Sequence, residues 1–164
     1  MPFSDNPYST GDIGENYVKY KLSQIGIDAV NIDRVYDLFL WRNMHRIEVK
    51  TSNAHVSGKH IIPQYGFTFK HGQTERDAFD YAVCIGLGDD NKVQDMYIIP
   101  QDYIHKRAVI YKKTSYCSNI TILKENLSME YKNNTYDKYD MCKLSLDIFK
   151  EDHKATFTRK KREL

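Results

Sequence analysis

The sequence predicts an α/β domain built on one central mixed sheet flanked by helices. Three observations carry this expectation. A segment with helical apolar spacing comes first, and short extended runs follow it. Then Tyr81–Leu87 (YAVCIGL) forms a continuous apolar run, as expected of a strand buried on both faces. The resulting order is helix, three strands, helix, strand, and such a mixture packs as helices against a sheet.

The elements follow in chain order. Residues 1–10 read as an irregular arm. Ser9 and Asp12 have the spacing of a capping box, so a helix runs from about Asp12 to Ile25 and stops at Gly26 in a left-handed cap. Val18, Leu22 and Ile25 share one face of it. Glu15 lies three residues before Val18, which places an acid at the N-terminal end of that inward face. Ile27–Ile32, Val35–Trp41 and Met44–Thr51 read as strands. The last two flank Arg42-Asn43, a two-residue hairpin turn that lacks the favoured glycine. A strand from about His60 to Lys70 follows, then a short helix over Gln73–Phe79. After the buried run come a strand over Asp95–Ile99, stopped by Pro100, and a helical turn over Gln101–Lys106.

Beyond residue 110 the sequence predicts a strand over Asn119–Leu123 and a helix over Tyr136–Phe149. Glycine is absent after Gly88, so nothing there reads as a flexible linker. Residues 1–164 are therefore taken as one domain, with a core over about 11–110 and a C-terminal extension over 111–164.

Composition narrows the function classes. The net charge of +2 is too small for a protein that coats DNA through charge alone. The positive charge is concentrated in the last stretch, KATFTRKKREL, which reads as a solvated tail or a phosphate contact. Cys84, Cys117 and Cys142 are odd in number and widely spaced, with no CxxC pair, so they read as reduced thiols in a cytoplasmic protein. MPFSDNPYSTGD lacks the pattern of a signal peptide, and no apolar run has membrane-spanning length.

The chemistry centres on Arg46-Ile-Glu-Val-Lys50. Alternate residues of a strand share a face, so Glu48 and Lys50 point together, away from Ile47 and Val49. With Arg42-Asn43 as the turn, Trp41 faces Met44, Leu38 faces Ile47 and Asp37 faces Glu48. Two carboxylates then stand side by side, their Cβ atoms about 4.5–5.5 Å apart, with a lysine two residues on. Like charges so opposed destabilise a sheet, and Val35 and Phe39 make the surroundings partly apolar. A hard divalent cation removes that cost, because Mg²⁺ takes one or two carboxylates and completes its shell with water and phosphate oxygens. An exposed strand with Lys50 as a simple ion partner is the alternative for the triplet alone. Asp37 in matched register and Glu15 on an inward helix face weigh against it.

The stretches GDIGENYVKYKLSQIGI, VYDLFLW and RIEVKTS resemble the PD-(D/E)XK nuclease superfamily over about Gly11 to Pro100. They are most similar to its small members, the homing endonucleases and Holliday-junction resolvases. The resemblance implies a restriction-endonuclease-like αβββαβ core. It implies catalytic roles for Asp37, Glu48, Lys50 and Glu15, with Asp37 and Glu48 as metal ligands. It also implies Mg²⁺-dependent hydrolysis of DNA phosphodiesters, with Mn²⁺ able to substitute, and a homodimer. Tyr36 stands where the motif's proline would be. Site-specific cleavage of the homing or restriction type is the leading expectation. A junction-resolving nuclease and a non-cleaving nucleic-acid-binding module are the alternatives.

Ser52, Asn53, Lys59, His60 and Lys70 are the candidate DNA contacts, since they supply donors just past the catalytic strand. Arg76 precedes the buried strand, as does Asp80, which reads as a turn or cap residue. His55 and His60 lack the helical spacing of a zinc pair.

Overall fold

The structure, a computed structural model, describes residues 9–32, 34–55, 64–110, 118–123, 130–131, 134–135 and 145–151. Helix α1 (Thr10–Gln24) begins as the capping box predicts. The Ser9 side chain accepts from the Asp12 N–H, and the Asp12 carboxylate accepts from the Ser9 N–H. It ends with Gly26 at φ 81°. The Gly26 N–H bonds the Ser23 carbonyl and the Ile27 N–H bonds the Leu22 carbonyl. That is a Schellman termination, which needs a residue free to adopt the left-handed region.

Five strands form the main sheet in the order β1 (Ala29–Asn31), β2 (Leu38–Leu40), β3 (His45–Asn53), β5 (Tyr81–Leu87), β6 (Val93–Pro100). Only the β3–β5 pair is parallel. Strand β5 sits inside the sheet and is buried on both faces, as its unbroken apolar run requires. Val83, Ile85 and Leu87 join Val18 and Leu22 of α1, Leu38, Leu40, Ile47 and Val49 in one core. Ala82 and Cys84 face the other way, into a second core with Tyr65, Phe67 and Phe69. The sheet thus lies between α1 and a second layer.

That second layer holds β4 (Gln64–Phe69), α2 (His71–Thr74) and α3 (Gln101–Ile110). Here the sequence reading needs correction. Strand β4 does not join the main sheet; it pairs antiparallel with β7 (Ser118–Leu123). Its alternating Tyr65, Phe67 and Phe69 are all fully buried or nearly so, and they pack a second sheet across the first. Helix α2 covers four residues rather than Gln73–Phe79. Asp77 takes φ 60°, and the Asp80 carboxylate is drawn to Arg46, so the chain turns instead of continuing the helix.

The β2–β3 connection is a four-residue loop over 41–44, not a two-residue turn. Without a glycine at the turn, Met44 adopts φ 61°, and the Asn43 side chain is taken up by the Phe149 carbonyl at 2.8 Å. Strand β6 runs through Pro100, which pairs with Tyr81. An edge strand tolerates the missing N–H. The last described segment, Leu146–Lys150, is a 3-10 helix capped by Ser145 instead of the end of an α-helix. Residues 136–144 of that predicted helix, the basic tail, Cys117 and Cys142 lie outside the described residues. Strands β8 (Glu130–Tyr131) and β9 (Asn134–Thr135) form a small separate pair. Among the described residues no helix is long and apolar enough to cross a membrane.

Candidate active site

The site forms where α1, the β1–β2 connection, β3 and the β4–α2 junction meet. Ladder pairs Leu38↔Ile47, Phe39↔Arg46 and Leu40↔His45 follow the register expected from the sequence, despite the longer loop. The ladder ends at Leu38, and Asp37 lies just outside it. The Asp37 N–H donates to the Ile47 carbonyl at 3.0 Å. Asp37 thus bonds the strand just past the last ladder pair. The Asp37 carboxylate turns back over β3, where Oδ2 accepts the Val49 N–H at 2.8 Å.

Glu48 and Lys50 point into the second layer, above Ala82 and Cys84. Glu48 is only 3% exposed. Its Oε1 accepts from Gln73 Nε2 at 2.7 Å and from Lys50 Nζ at 3.0 Å. Its Oε2 is buried and receives no donor. Burial pushes the Glu48 carboxyl up to about 7. The neighbouring Asp37 carboxyl adds to the rise, and the Lys50 ammonium opposes it. Lys50 Nζ also lies 5.5 Å from the centre of the Phe69 ring, so a cation–π contact helps hold it.

Glu15 stands at the margin of this cluster. Asn31 Nδ2 reaches its Oε2 at 3.4 Å, and Lys19 Nζ holds Asn31 Oδ1 at 2.6 Å. Burial raises the Glu15 carboxyl, and Asp37 and Asp12 push the same way, with Lys19 opposing. Glu15 reaches this position because α1 presses on β3 at Gly14: a Cβ there would collide with the Thr51 hydroxyl. Gly14 was not singled out from the sequence. A glycine inside a helix is the signal that could have found it, since it costs about 1 kcal/mol unless close packing requires it.

Gln73 was also missed. A glutamine at the third position of a short helix is a capping signal, but nothing local announces its bond to Glu48 twenty-five residues away. Of the candidate DNA contacts, Ser52 is engaged internally. Its Oγ accepts the Gly66 N–H and donates to the Asn53 carbonyl, each at 3.1 Å. Asn53 and Lys70 are exposed at the ends of β3 and β4. Lys59 and His60 lie outside the described residues. Asp80 is neither a simple turn residue nor part of the carboxylate cluster; it is the ion partner of Arg46.

The donor count tests whether a cation fits. Among the described residues no three His, Cys, Asp or Glu side chains converge as a metal cluster. Two carboxylates do meet. Among the described residues Glu48 Oε2 is buried without a donor, and Asp37 Oδ2 accepts the Val49 N–H. Two carboxylates suffice for Mg²⁺, which keeps several waters and takes phosphate oxygens. The residues fit such an ion.

The fold is a mixed α/β core, with a five-stranded sheet between α1 and a second layer. Among solved structures, the chain is similar to a bacterial homing endonuclease with a TM-score of 0.51 and 16% identity. The match covers 93% of this chain and 95% of that one. At that identity the likeness is one of fold. No protein-family model and no curated protein matches the chain.

Proposed function

We propose that the chain is a DNA endonuclease of the PD-(D/E)XK type, dependent on Mg²⁺ and accepting Mn²⁺. The observation that carries this reading is the bare Oε2 of the buried Glu48 beside the Asp37 carboxylate. The fold it shares with a homing endonuclease supports DNA as substrate.

Asp37 and Glu48 are the residues that would hold the ion. When bound, a divalent cation acidifies water and neutralises charge on a phosphate. The chain's own residues supply the rest. The Val49 N–H fixes Asp37, and Gln73 and Lys50 fix Glu48, so both carboxylates are preorganised. Lys50, partly exposed and held over Phe69, presents a positive charge to the scissile phosphate, where negative charge grows during in-line attack by water. Glu15 can take a further contact through water at the margin. Cutting both strands of a duplex needs two such sites, so a two-fold homodimer follows by symmetry.

The test is incubation of plasmid DNA, a cruciform and single strands with Mg²⁺, for the native chain and Glu48→Ala. Cleavage by the native chain alone is expected, and the preferred substrate separates site-specific from junction-resolving action. Cleavage that survives in the variant would overturn the site. No cleavage of any substrate by the native chain would leave a nucleic-acid-binding module instead.

A further inference from the structure

Gln73 touches three segments at once. Its Oε1 accepts the Lys70 N–H at 3.1 Å, at the β4–α2 junction. Because that oxygen must face a donor, its Nε2 is left to face Glu48. Nε2 donates to Glu48 Oε1 on β3 at 2.7 Å and to the Val35 carbonyl at 3.3 Å. Val35 lies two residues before Asp37. One amide therefore spans the strand that carries one carboxylate and the connection that carries the other.

The helix bearing Gln73 is itself pinned. Gln101, 4% exposed on α3, donates through Nε2 to the carbonyls of Gln73, at 3.2 Å, and Glu75. His105 Nδ1 lies 2.9 Å from the Thr74 carbonyl. A four-residue helix has little stability of its own, so these bonds from α3 hold α2 in place. The placement is costly to arrange for a surface turn, and it delivers one side-chain amide to the carboxylates.

We propose that Gln73 is a positioning residue that sets the separation and orientation of Asp37 and Glu48 by bonding Glu48 and the Val35 carbonyl together. The part of this role that concerns a cation rests on the function proposed above; the part that concerns carboxylate geometry does not. Partners of this kind around metal-binding carboxylates change metal affinity by about 10–100-fold when removed.

The experiment uses the full chain and Gln73→Met, which keeps the length and loses the side-chain bonds to Lys70, Glu48 and Val35. The first readout needs no metal. Val49 donates its N–H to Asp37, so its amide exchange reports how firmly Asp37 is held. Exchange at Val49 should quicken about tenfold, the loss of roughly one net hydrogen bond, while Val83 in the same sheet keeps its native rate. The second readout is Mn²⁺ binding followed by electron paramagnetic resonance, expected to weaken about 10–100-fold. Unchanged protection at Val49 overturns the proposal whatever the metal does. Equal quickening at Val49 and Val83 also overturns it, since the effect is then general destabilisation. Loosened Val49 with native Mn²⁺ affinity overturns the positioning of the carboxylates. If Val49 loosens but the native chain binds no Mn²⁺, the geometric role stands and the cation reading fails.

Discussion

Arg46 and Glu48 lie two residues apart on one face of β3, and each is half of a buried ion pair, yet the two pairs follow opposite rules. At Arg46 both oxygens of the partner carboxylate are bonded. Asp80 Oδ1 accepts Nη2 at 2.9 Å, and Oδ2 accepts both the Arg46 N–H at 2.8 Å and Nε at 3.2 Å. The remaining Nη1 donates to the Asp77 carbonyl at 2.9 Å. The Asp80 N–H returns a bond to the Arg46 carbonyl, joining the starts of β3 and β5. At Glu48, by contrast, two donors crowd one oxygen and the other is bare beside a second carboxylate. The first arrangement ties strands together. In the second, burial and the neighbouring Asp37 carboxyl push the Glu48 carboxyl toward its protonated form.

Variants on the two pairs should therefore move stability in opposite directions. Arg46→Leu takes the guanidinium away from the Asp80 carboxylate, 3% exposed, and leaves it only the backbone N–H of position 46 from that residue, and should cost about 3–5 kcal/mol in urea unfolding. Native-like stability in that variant would show that the closed pair is dispensable and would break the contrast.

Glu48→Gln should do the reverse in the absence of divalent cations. The folded-state value of Glu48 is raised from 4.5 to about 7, so the folded state holds its proton more tightly than the unfolded one. The associated stability is present below pH 4.5 and is lost as pH climbs through 7. At pH 8, Glu48→Gln should exceed the native chain by on the order of 2 kcal/mol, and the advantage should vanish near pH 4. A flat difference across pH would sink the assignment. The same titration should make Mn²⁺ binding strengthen about tenfold per pH unit up to about 7, since the ion displaces that proton.

The smallest effect belongs to the helix that approaches the open pair. Gly14→Ala improves helix propensity by about 1 kcal/mol but drives a methyl into Thr51. Overpacking of about 1–3 kcal/mol should outweigh that gain, giving a slightly lower melting temperature. A higher melting temperature would mean that α1 can lift away from β3 freely.

Much of this was legible in the sequence because it is local or periodic. The capping box at Ser9, the glycine stop at Gly26 and the buried run of β5 read directly as structure. The β2–β3 register could be counted even though the turn was misjudged, since loops of two and four residues centred on the same bond give the same pairing. That count placed Asp37 next to Glu48. It did not reach the bond of Asp37 to the Val49 N–H, which depends on where the ladder stops.

Long-range placement was not legible. The alternation of Tyr65, Phe67 and Phe69 marks a strand with one buried face, but it does not say which sheet that strand joins. Asp80 looked like a turn residue because its partner, Arg46, is thirty-four positions away.

By itself, then, the sequence determined the α/β class, the capping and stop of α1, the β2–β3 register and the face shared by Glu48 and Lys50. Side-chain period and capping chemistry act over a few residues and need no knowledge of the rest. Tertiary structure alone decided that β4 and α2 close over that face. That closure buries Glu48, brings Gln73 and Phe69 against the ion pair and leaves Oε2 without a donor. Burial and hydrogen-bond accounting depend on everything packed around an atom, and spacing along the chain does not carry that information.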